Sequence, residues 1–306
     1  MTSYLIRRIL WIIPVLFVVS VITFTLMHLT PGGPWAREKR LSPDTEARLN
    51  AEYGLDLPWH EQYINWVTDF VKLDLGPSYR YVDRDVNAIV NDGMGTTIQL
   101  GVMAFSLSVF LGIPLGIFAA LGHNRLPDYL STALSVVGIA TPSFVLAILL
   151  IVFFSVTLGW FPTGGWKGPE YWVLPTVALA GFPIAVIARY TRASMLEVTR
   201  KDYIRTAQSK GLQRGAVVSR HMIRNALIPV VTILGPTLAF LVTGSFIIEQ
   251  IFSIPGIGRE FILSIQKRDY PVIMGVYLLY AFIIAVANLT VDLVYGMLDP
   301  RIKVAK

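Results

Sequence analysis

The sequence has no cysteine and few charged residues. Asp, Glu, Lys and Arg make up 15% of its 306 residues, whereas a soluble domain carries about 25%. Without cysteine, disulfides and Cys-based zinc or redox sites are excluded. No G-x-x-x-x-G-K-[ST] stretch occurs, so the phosphate-binding P-loop is missing. No metal site is predicted either, because the histidines lack the spacing of metal ligands; they are His28, His60, His123 and His221.

What the chain does contain is long apolar segments. Hydrophobic residues make up 54%, and the mean hydropathy is +0.58. A membrane-spanning helix needs about 20 mostly apolar residues. Six segments meet this requirement, at 9–29, 97–121, 130–158, 172–190, 229–248 and 272–295. The first is too long for the apolar core of a signal peptide and is expected to be an anchor. The chain is therefore predicted to be an all-α integral membrane protein with six transmembrane helices.

Lysine and arginine set the predicted orientation. The loop 191–228, with Arg189 at its edge, holds nine Lys/Arg and two acidic residues. The segment 31–96 holds seven Lys/Arg and eleven acidic residues. Because basic loops stay in the cytoplasm, both termini are predicted inside and 31–96 outside. The net charge of +6 then reflects membrane topology, and no nucleic-acid partner is expected.

The outer segment 31–96 carries helical patterns of its own. Ser42 followed by Pro43 is typical of a helix start, and Gly54 of a stop. After Pro58, apolar residues recur at helical spacing; they are Trp59, Tyr63, Trp66, Phe70 and Val71. Two interpretations remain open, a helical cap on the outer face and a docking surface. We expect residues 1–95 to form the first span with this outer segment, and 96–306 to form a five-helix core.

A polar stretch, "DYIRTAQSKGLQRG" at 202–215, stands between two apolar segments. Residues 202–210 predict a short helix, and Gly211 the left-handed residue that follows a helix end. "AVVSRHMIRNALIP" predicts a second short helix that ends at Pro229. The simplest interpretation is a solvated basic loop on anionic lipid. The alternative is a compact cytoplasmic docking element.

These residues resemble the cytoplasmic "EAA" loop of ABC-importer permeases, in particular the oligopeptide/dipeptide permease branch. Arg205 and Thr206 depart from the general motif, whereas Ala207 and Gly211 fit it. The resemblance extends along the whole chain through "YLIRRILWIIPVLFVVSVITF", "LTPGGPW", "YGLDLPWHEQY", "PTGGWKGPEYWVLP", "EQIFSIPGIGREFILSIQKRDYPVIMGV" and "VDLVYGMLDPRIK". It implies the type I, MetI-like permease fold with a helical outer loop after the first span.

The resemblance also implies function and partners. Such a chain would be a permease subunit of an ATP-driven oligopeptide importer in a bacterial or archaeal cell membrane, and not itself an enzyme. It would pair with a second permease subunit, two ATP-binding subunits and an extracytoplasmic peptide-binding protein. No cofactor would bind this chain, since ATP and Mg would bind the partner subunits. The coupling loop at 197–228 would contact the ATPase through seven residues of the polar stretch 202–215. They are Asp202, Arg205, Thr206, Ala207, Lys210, Gly211 and Arg214.

Four further residues have both a structural and a gating interpretation. Glu249, at the outer end of the fifth span, is expected to cap or snorkel, although an ionisable group there is also a functional candidate. Pro255 and Gly256 lie in an outer turn that, in the resembled family, helps form the periplasmic gate. Asp292 is expected to pair with Arg189 or Arg192, with gating as the alternative.

Other functions are weaker on the residues. An importer of dipeptides, nickel or glutathione from the same family stays open. A secondary transporter driven by an ion gradient would show internal repeats and paired ionisable groups at the midplane, and neither is evident. A membrane scaffold would leave the outer segment and the polar stretch as generic surfaces, and no hydrolase motif lies on any span.

Overall fold

The computed structural model describes residues 2–35, 42–81, 83–243 and 246–298, with side chains from 6 to 290 within these ranges. Over this part of the chain the structure is helical and contains no strand. The helices are α1 (Thr2–Leu29), α2 (Pro43–Glu52), α3 (Trp59–Val71), α4 (Val86–Leu121), α5 (Leu126–Ala140), α6 (Ser143–Leu150), α7 (Pro169–Thr199), α8 (Asp202–Ser209), α9 (Arg214–Ala216), α10 (Arg224–Val242), α11 (Phe246–Ile251), α12 (Ile257–Lys267) and α13 (Tyr270–Leu298). Two π-helical segments, Ile151–Thr157 and Val217–Ile223, follow α6 and α9. The all-α prediction is confirmed.

The number of membrane spans agrees with the prediction. Among the described residues, five helices are long and apolar enough to cross a membrane, and a bent helix pair brings the number to six if the pair counts as one span. The five are Ile6–Leu29, Val86–Leu121, Pro169–Thr199, Arg214–Ile251 and Tyr270–Thr290. Many large apolar side chains on these helices are exposed, among them Trp11, Phe110 and Phe240. Exposed apolar surface of this kind is what lipid or other helices of a membrane complex cover.

The third span differs from its prediction. The sequence predicts one apolar segment over 130–158, but the structure has α5 and Ser143–Thr157 bent by 105°. Pro142 explains the break, because its ring disfavours helical backbone at the preceding residue. Thr141 accordingly has ψ of 116°, and Pro142 caps the start of α6.

The described residues form two compact units. The first consists of residues up to 96 together with Pro255–Ala285, and the second of Thr97–Ile254 together with residues from Val286 onward. The first unit thus includes α12 and the start of α13, which the predicted division at 95/96 leaves in the core.

Local sequence signals shape the helices of the first unit as predicted. The Ser42 hydroxyl accepts a hydrogen bond from the Thr45 amide at 3.3 Å, and Pro43 occupies the first helical position. Gly54 follows α2 with a positive φ of 64°, and α3 begins directly after Pro58. These predictions are confirmed, since each depends only on neighbours along the chain.

A buried carboxylate joins two turns of the first unit. Asp269, which precedes α13, accepts hydrogen bonds from the Ser78 hydroxyl at 2.5 Å and the Tyr79 amide at 3.0 Å. Ser78 and Asp269 are buried. Burial of the phenol raises the pKa of Tyr79, and the Asp269 charge acts in the same direction. The segment before α4 is thereby fastened to the segment before α13.

The second unit is built on close contacts between small residues. Its core includes Ala104, Ala147, Ala178 and Ala180 packed with larger side chains of α10 and α11. A Cβ on Gly112 would lie 2.9 Å from Ile187, and one on Gly116 would lie 2.5 Å from the Ala188 carbonyl oxygen. Small residues allow membrane helices to approach this closely, so α4 and α7 form the centre of the unit.

Candidate functional site

Helix α8 presents a narrow apolar face to the rest of the second unit and a polar face to solvent. Ile204 and Ala207 are buried, and residues three apart share one face of a helix. The exposed side chains include Asp202, Arg205 and Thr206. The predicted short helix is confirmed.

Gly211 ends this helix in the way the sequence predicts. Its φ is +76°, and its amide donates to the Gln208 carbonyl at 3.0 Å. The Lys210 amide donates to the Thr206 carbonyl at 3.1 Å. A Cβ on Gly211 would meet nothing within 4 Å. The requirement for glycine is therefore one of backbone conformation and not of space.

The second short helix predicted here is wrong in its end point. After α9 the chain passes through the π-helical segment Val217–Ile223 and continues without interruption as α10 to Val242. Pro229 and Pro236 lie inside α10. A proline removes one helical hydrogen bond, and membrane helices tolerate this where other groups compensate. The polar stretch is consequently joined rigidly to the fifth span.

A second apolar cluster anchors α8 and the following segment. Ile204 and Ala207 pack with Val217 and Met222, and with Met195 and Val198 of α7. The Ser194 hydroxyl donates to the Ala226 carbonyl at 2.8 Å in a buried position, which joins α7 to α10. We call residues 202–223 the knob. The knob is therefore in direct apolar contact with α7 and α10.

The predicted coupling residues lie together on the knob. Six of them are exposed, namely Asp202, Arg205, Thr206, Lys210, Gly211 and Arg214, whereas Ala207 faces the apolar cluster. The Thr206 hydroxyl donates to the Asp202 carbonyl at 3.1 Å, and Arg205 lies 3.9 Å from the Asp202 carboxylate. Their contact with an ATPase stays a prediction.

The electrostatics of the knob are basic. Just before it, Lys201 forms an exposed ion pair with Glu197 at 2.8 Å, and the Glu197 carboxylate raises the pKa of Lys201. Lys210 and Arg214 face solvent. The surface that results would attract an acidic partner.

Two apolar residues on the knob were missed by the sequence analysis. Tyr203 is 43% exposed and Leu212 is 44% exposed. The helical phase of Ile204 and Ala207 would have placed Tyr203 outside the buried face. Tyrosine and arginine are enriched among the residues that dominate protein interfaces, and Leu212 adds exposed apolar surface beside them.

The structure changes the interpretation of Glu249. The side chain is fully buried, and the Thr97 hydroxyl donates to its carboxylate at 3.0 Å. The expected snorkelling at the membrane interface does not fit this burial, whereas the capping and gating interpretations of Glu249 stay predictions. Sequence position could not show this, because Thr97 is 152 residues away.

The other gate candidates lie in different surroundings. Pro255 is exposed, and Gly256 is buried at the N-cap position, directly before α12. Asp292 falls within α13 but lies outside the residues whose side chains the structure describes. Their predicted gating roles stay predictions.

An ion pair that the sequence analysis did not anticipate involves Arg192. Its guanidinium donates to the buried Asp128 carboxylate, from Nε at 2.5 Å and from Nη2 at 2.8 Å. His123 lies 3.1 Å from the same carboxylate. Arg192 therefore pairs with a residue of α5. Arg189, the other partner expected for Asp292, forms no ion pair with any side chain that the structure describes.

The chain matches two family models. Residues 112–304 match the binding-protein-dependent transport system inner membrane component. Residues 1–79 match the N-terminal part of the membrane component of the same systems. Together they include the whole knob and residues 31–79 of the outer segment.

Curated relatives match over the full length. The dipeptide transport system permease protein DppB of Bacillus subtilis is 44% identical over 306 residues, which is 100% of this chain and 99% of the relative. The oligopeptide transport system permease protein OppB of Escherichia coli K12 is 39% identical over 305 residues, or 99% of this chain and 100% of the relative.

Solved structures share the fold. The inward-facing MetNI methionine ABC transporter gives a TM-score of 0.57 at 18% identity, with 69% of this chain and 96% of that chain covered. An amino acid ABC transporter crystallised with histidines gives 0.56 at 18% identity, with 69% and 94% covered. The predicted MetI-like permease fold is confirmed.

Proposed function

Since this chain belongs to the family of binding-protein-dependent transport system inner membrane components, we propose that it is the permease subunit of an ATP-driven peptide importer. It is a multi-pass membrane protein with the permease fold. The observation that carries the peptide assignment is its full-length similarity to peptide permeases at 37–44% identity. The chain would form half of the translocation path.

The proposed substrates are short peptides. The sequence analysis favoured oligopeptides, with dipeptides, nickel and glutathione as alternatives from the same family. The dipeptide permease relative is 44% identical and the oligopeptide relatives are 37% and 39% identical. Dipeptides therefore belong in the proposed range beside oligopeptides.

ATP hydrolysis is assigned to separate subunits. The chain contains no P-loop sequence, so the nucleotide and its Mg²⁺ would bind two partner ATPases. The basic knob, with its exposed Tyr203 and Leu212, would fit an acidic and partly apolar pocket on such a subunit. A second permease subunit and an extracytoplasmic peptide-binding protein complete the proposed assembly.

The coupling mechanism follows from the packing of the knob. Closure of the ATPase dimer would move the knob, and the apolar cluster beneath it would pass that movement to α7 and α10. The helices would move as rigid bodies because packed interfaces switch between discrete arrangements instead of deforming gradually. The translocation path would then alternate between inward-open and outward-open states.

Affinity purification from the native membrane tests the proposal. We expect a second six-span protein and one or two P-loop ATPases to co-purify, identified by mass spectrometry. When the complex is reconstituted in liposomes with ATP inside, it should take up peptide from a peptide-loaded binding protein outside. A chain that purifies without any ATPase, and that accumulates substrate on an ion gradient alone, would instead be a secondary transporter.

A further inference from the structure

A groove of about 450 Å³ lies between α5 and α7 in the second unit. It is lined by the hydroxyl side chains Ser131, Thr132 and Ser135 on one side and by Arg189 and Arg192 on the other. This volume is in the range of small-molecule sites, about 300–1,000 Å³. The ion pair with Asp128 uses Arg192 of this lining, whereas the coupling role of the knob uses none of these residues.

The groove contains hydrogen-bond donors that are not used within the protein. Ser135 is only 7% exposed, yet its hydroxyl bonds to no group in the part of the chain that the structure describes. Ser131 donates to the Leu115 carbonyl at a long 3.3 Å. The Ser135 hydroxyl, which lines the groove, is therefore free to donate a hydrogen bond to a ligand or water there.

Among the side chains that the structure describes, one positive charge at the groove has no ion pair. Arg192 is neutralised by Asp128 through two hydrogen bonds. Arg189 is exposed, and no described side chain forms an ion pair with it. Ionisable residues in membrane segments face a water-filled cavity or the interior of a helix bundle. The charge and the hydroxyls therefore indicate a hydrated site for an anion.

The arrangement fits a carboxylate better than a lipid phosphate. Guanidinium and hydroxyl groups together donate to both oxygens of a carboxylate. Ser135 lies four residues beyond Ser131 on α5, about 6 Å further along the helix axis. The donors thus extend inward from the arginines, whereas a lipid headgroup stays at the membrane surface. Val136 and Ile139 add apolar contact for the side chain of a terminal residue.

We propose that this groove binds the C-terminal carboxylate of the transported peptide, with Arg189 supplying the charge and Ser135 and Thr132 the hydroxyl donors. The inference rests on the proposed function, since it requires a peptide in the translocation route. It assigns specificity for a free C-terminus to the permease itself, in addition to any selection by the binding protein.

Uptake of paired peptides tests the charge. The full transporter in liposomes is given a tripeptide as free acid and as C-terminal amide. Arg189→Gln should lower uptake of the acid about tenfold or more, leave uptake of the amide within about twofold, and be partly rescued by Arg189→Lys. Arg125→Gln, an exposed arginine before α5, removes the same charge outside the groove and should change neither.

A thiol reporter tests binding without the binding protein. The chain has no cysteine, so Ile139→Cys gives it a single thiol inside the groove. The peptide acid should slow alkylation of this thiol at least about threefold, the amide should not, and Arg189→Gln should abolish the protection. Leu134→Cys, exposed on α5 and outside the groove lining, should react at the same rate throughout.

Four results would overturn the inference while wild-type peptide uptake persists. The first is that Arg189→Gln lowers uptake of the acid and of the amide equally, and the second is that peptide does not protect the Ile139→Cys thiol from alkylation. The third is that phosphatidylglycerol vesicles protect this thiol and peptide does not increase the protection. The fourth is that Asp292→Asn restores uptake to the Arg189→Gln variant. The last would make Arg189 a structural partner of Asp292. If the wild-type complex takes up no peptide at all, the proposed function fails first.

Discussion

The guanidinium of Arg192 holds the carboxylate of Asp128 through two hydrogen bonds, at 2.5 and 2.8 Å. Asp128 is buried at the start of α5, and Arg192 lies near the end of α7. Planar two-point contacts of this kind fix orientation as well as distance. The pair therefore sets how the first half of the bent span packs on α7.

Removing the Asp128 charge should destabilise the protein. Asp128→Asn leaves the Arg192 guanidinium without its counter-charge, and breaking a buried pair costs about 3 kcal/mol of unfolding free energy. Thermal unfolding of the purified protein in detergent measures the loss. Asp69→Asn, which breaks the exposed pair with Lys72, is the matched control. An equal shift in both variants would show that the Asp128 pair has no special structural role.

Gly211 should be sensitive to the shape of its replacement. A side chain at a positive φ costs about 1–2 kcal/mol, and a β-branched one more, so Gly211→Val should uncouple peptide uptake from ATP hydrolysis while the protein still inserts. Gly211→Asn should retain more uptake, because Asn tolerates this conformation.

The control for this variant is Gly215→Ala. Gly215 has no positive φ, and its added Cβ meets nothing within 4 Å. This variant should transport like the wild type. Normal uptake by Gly211→Val would show that the turn after α8 does not hold the knob for coupling.

Leu212 should contribute to ATPase binding. It is exposed on the knob, and truncation of an interface anchor costs about 1–2 kcal/mol. Leu212→Ala is expected to weaken ATPase association about tenfold, measured by titration of the ATPase onto the permease in nanodiscs, with no change in thermal stability. Leu126→Ala, an exposed leucine at the start of α5, should bind normally. Unchanged affinity for Leu212→Ala would remove this residue from the interface.

The bond between Thr97 and Glu249 should stabilise the second unit. Thr97→Val keeps the shape but removes the donor to a buried carboxylate, which costs about 1–3 kcal/mol. Thr97→Ser retains the hydroxyl and should lose less. The two variants are compared by thermal unfolding. If Ser and Val behave alike, the effect comes from the lost methyl packing and not from the hydrogen bond.

Much of the architecture could be predicted from the sequence because its signals are local. The apolar segments, the start of α2 at Ser42 and Pro43, and the helix end at Gly211 each depend on residues within a few positions. The basic and acidic loops likewise indicate orientation without knowledge of packing. The knob residues were found in this way, although Tyr203 and Leu212 were not singled out.

Only the tertiary structure decided which distant groups meet. Asp128 and Arg192 are 64 residues apart, and Thr97 and Glu249 are 152 apart. Sequence patterns show that a helix will form but not how it is rotated against its neighbours. Rotation and bending are set by close packing, as at Gly112 and at the Pro142 break. The sequence by itself determined the spans and the polar knob, whereas packing determined the buried ion pair, the burial of Glu249 and the groove beside Arg189.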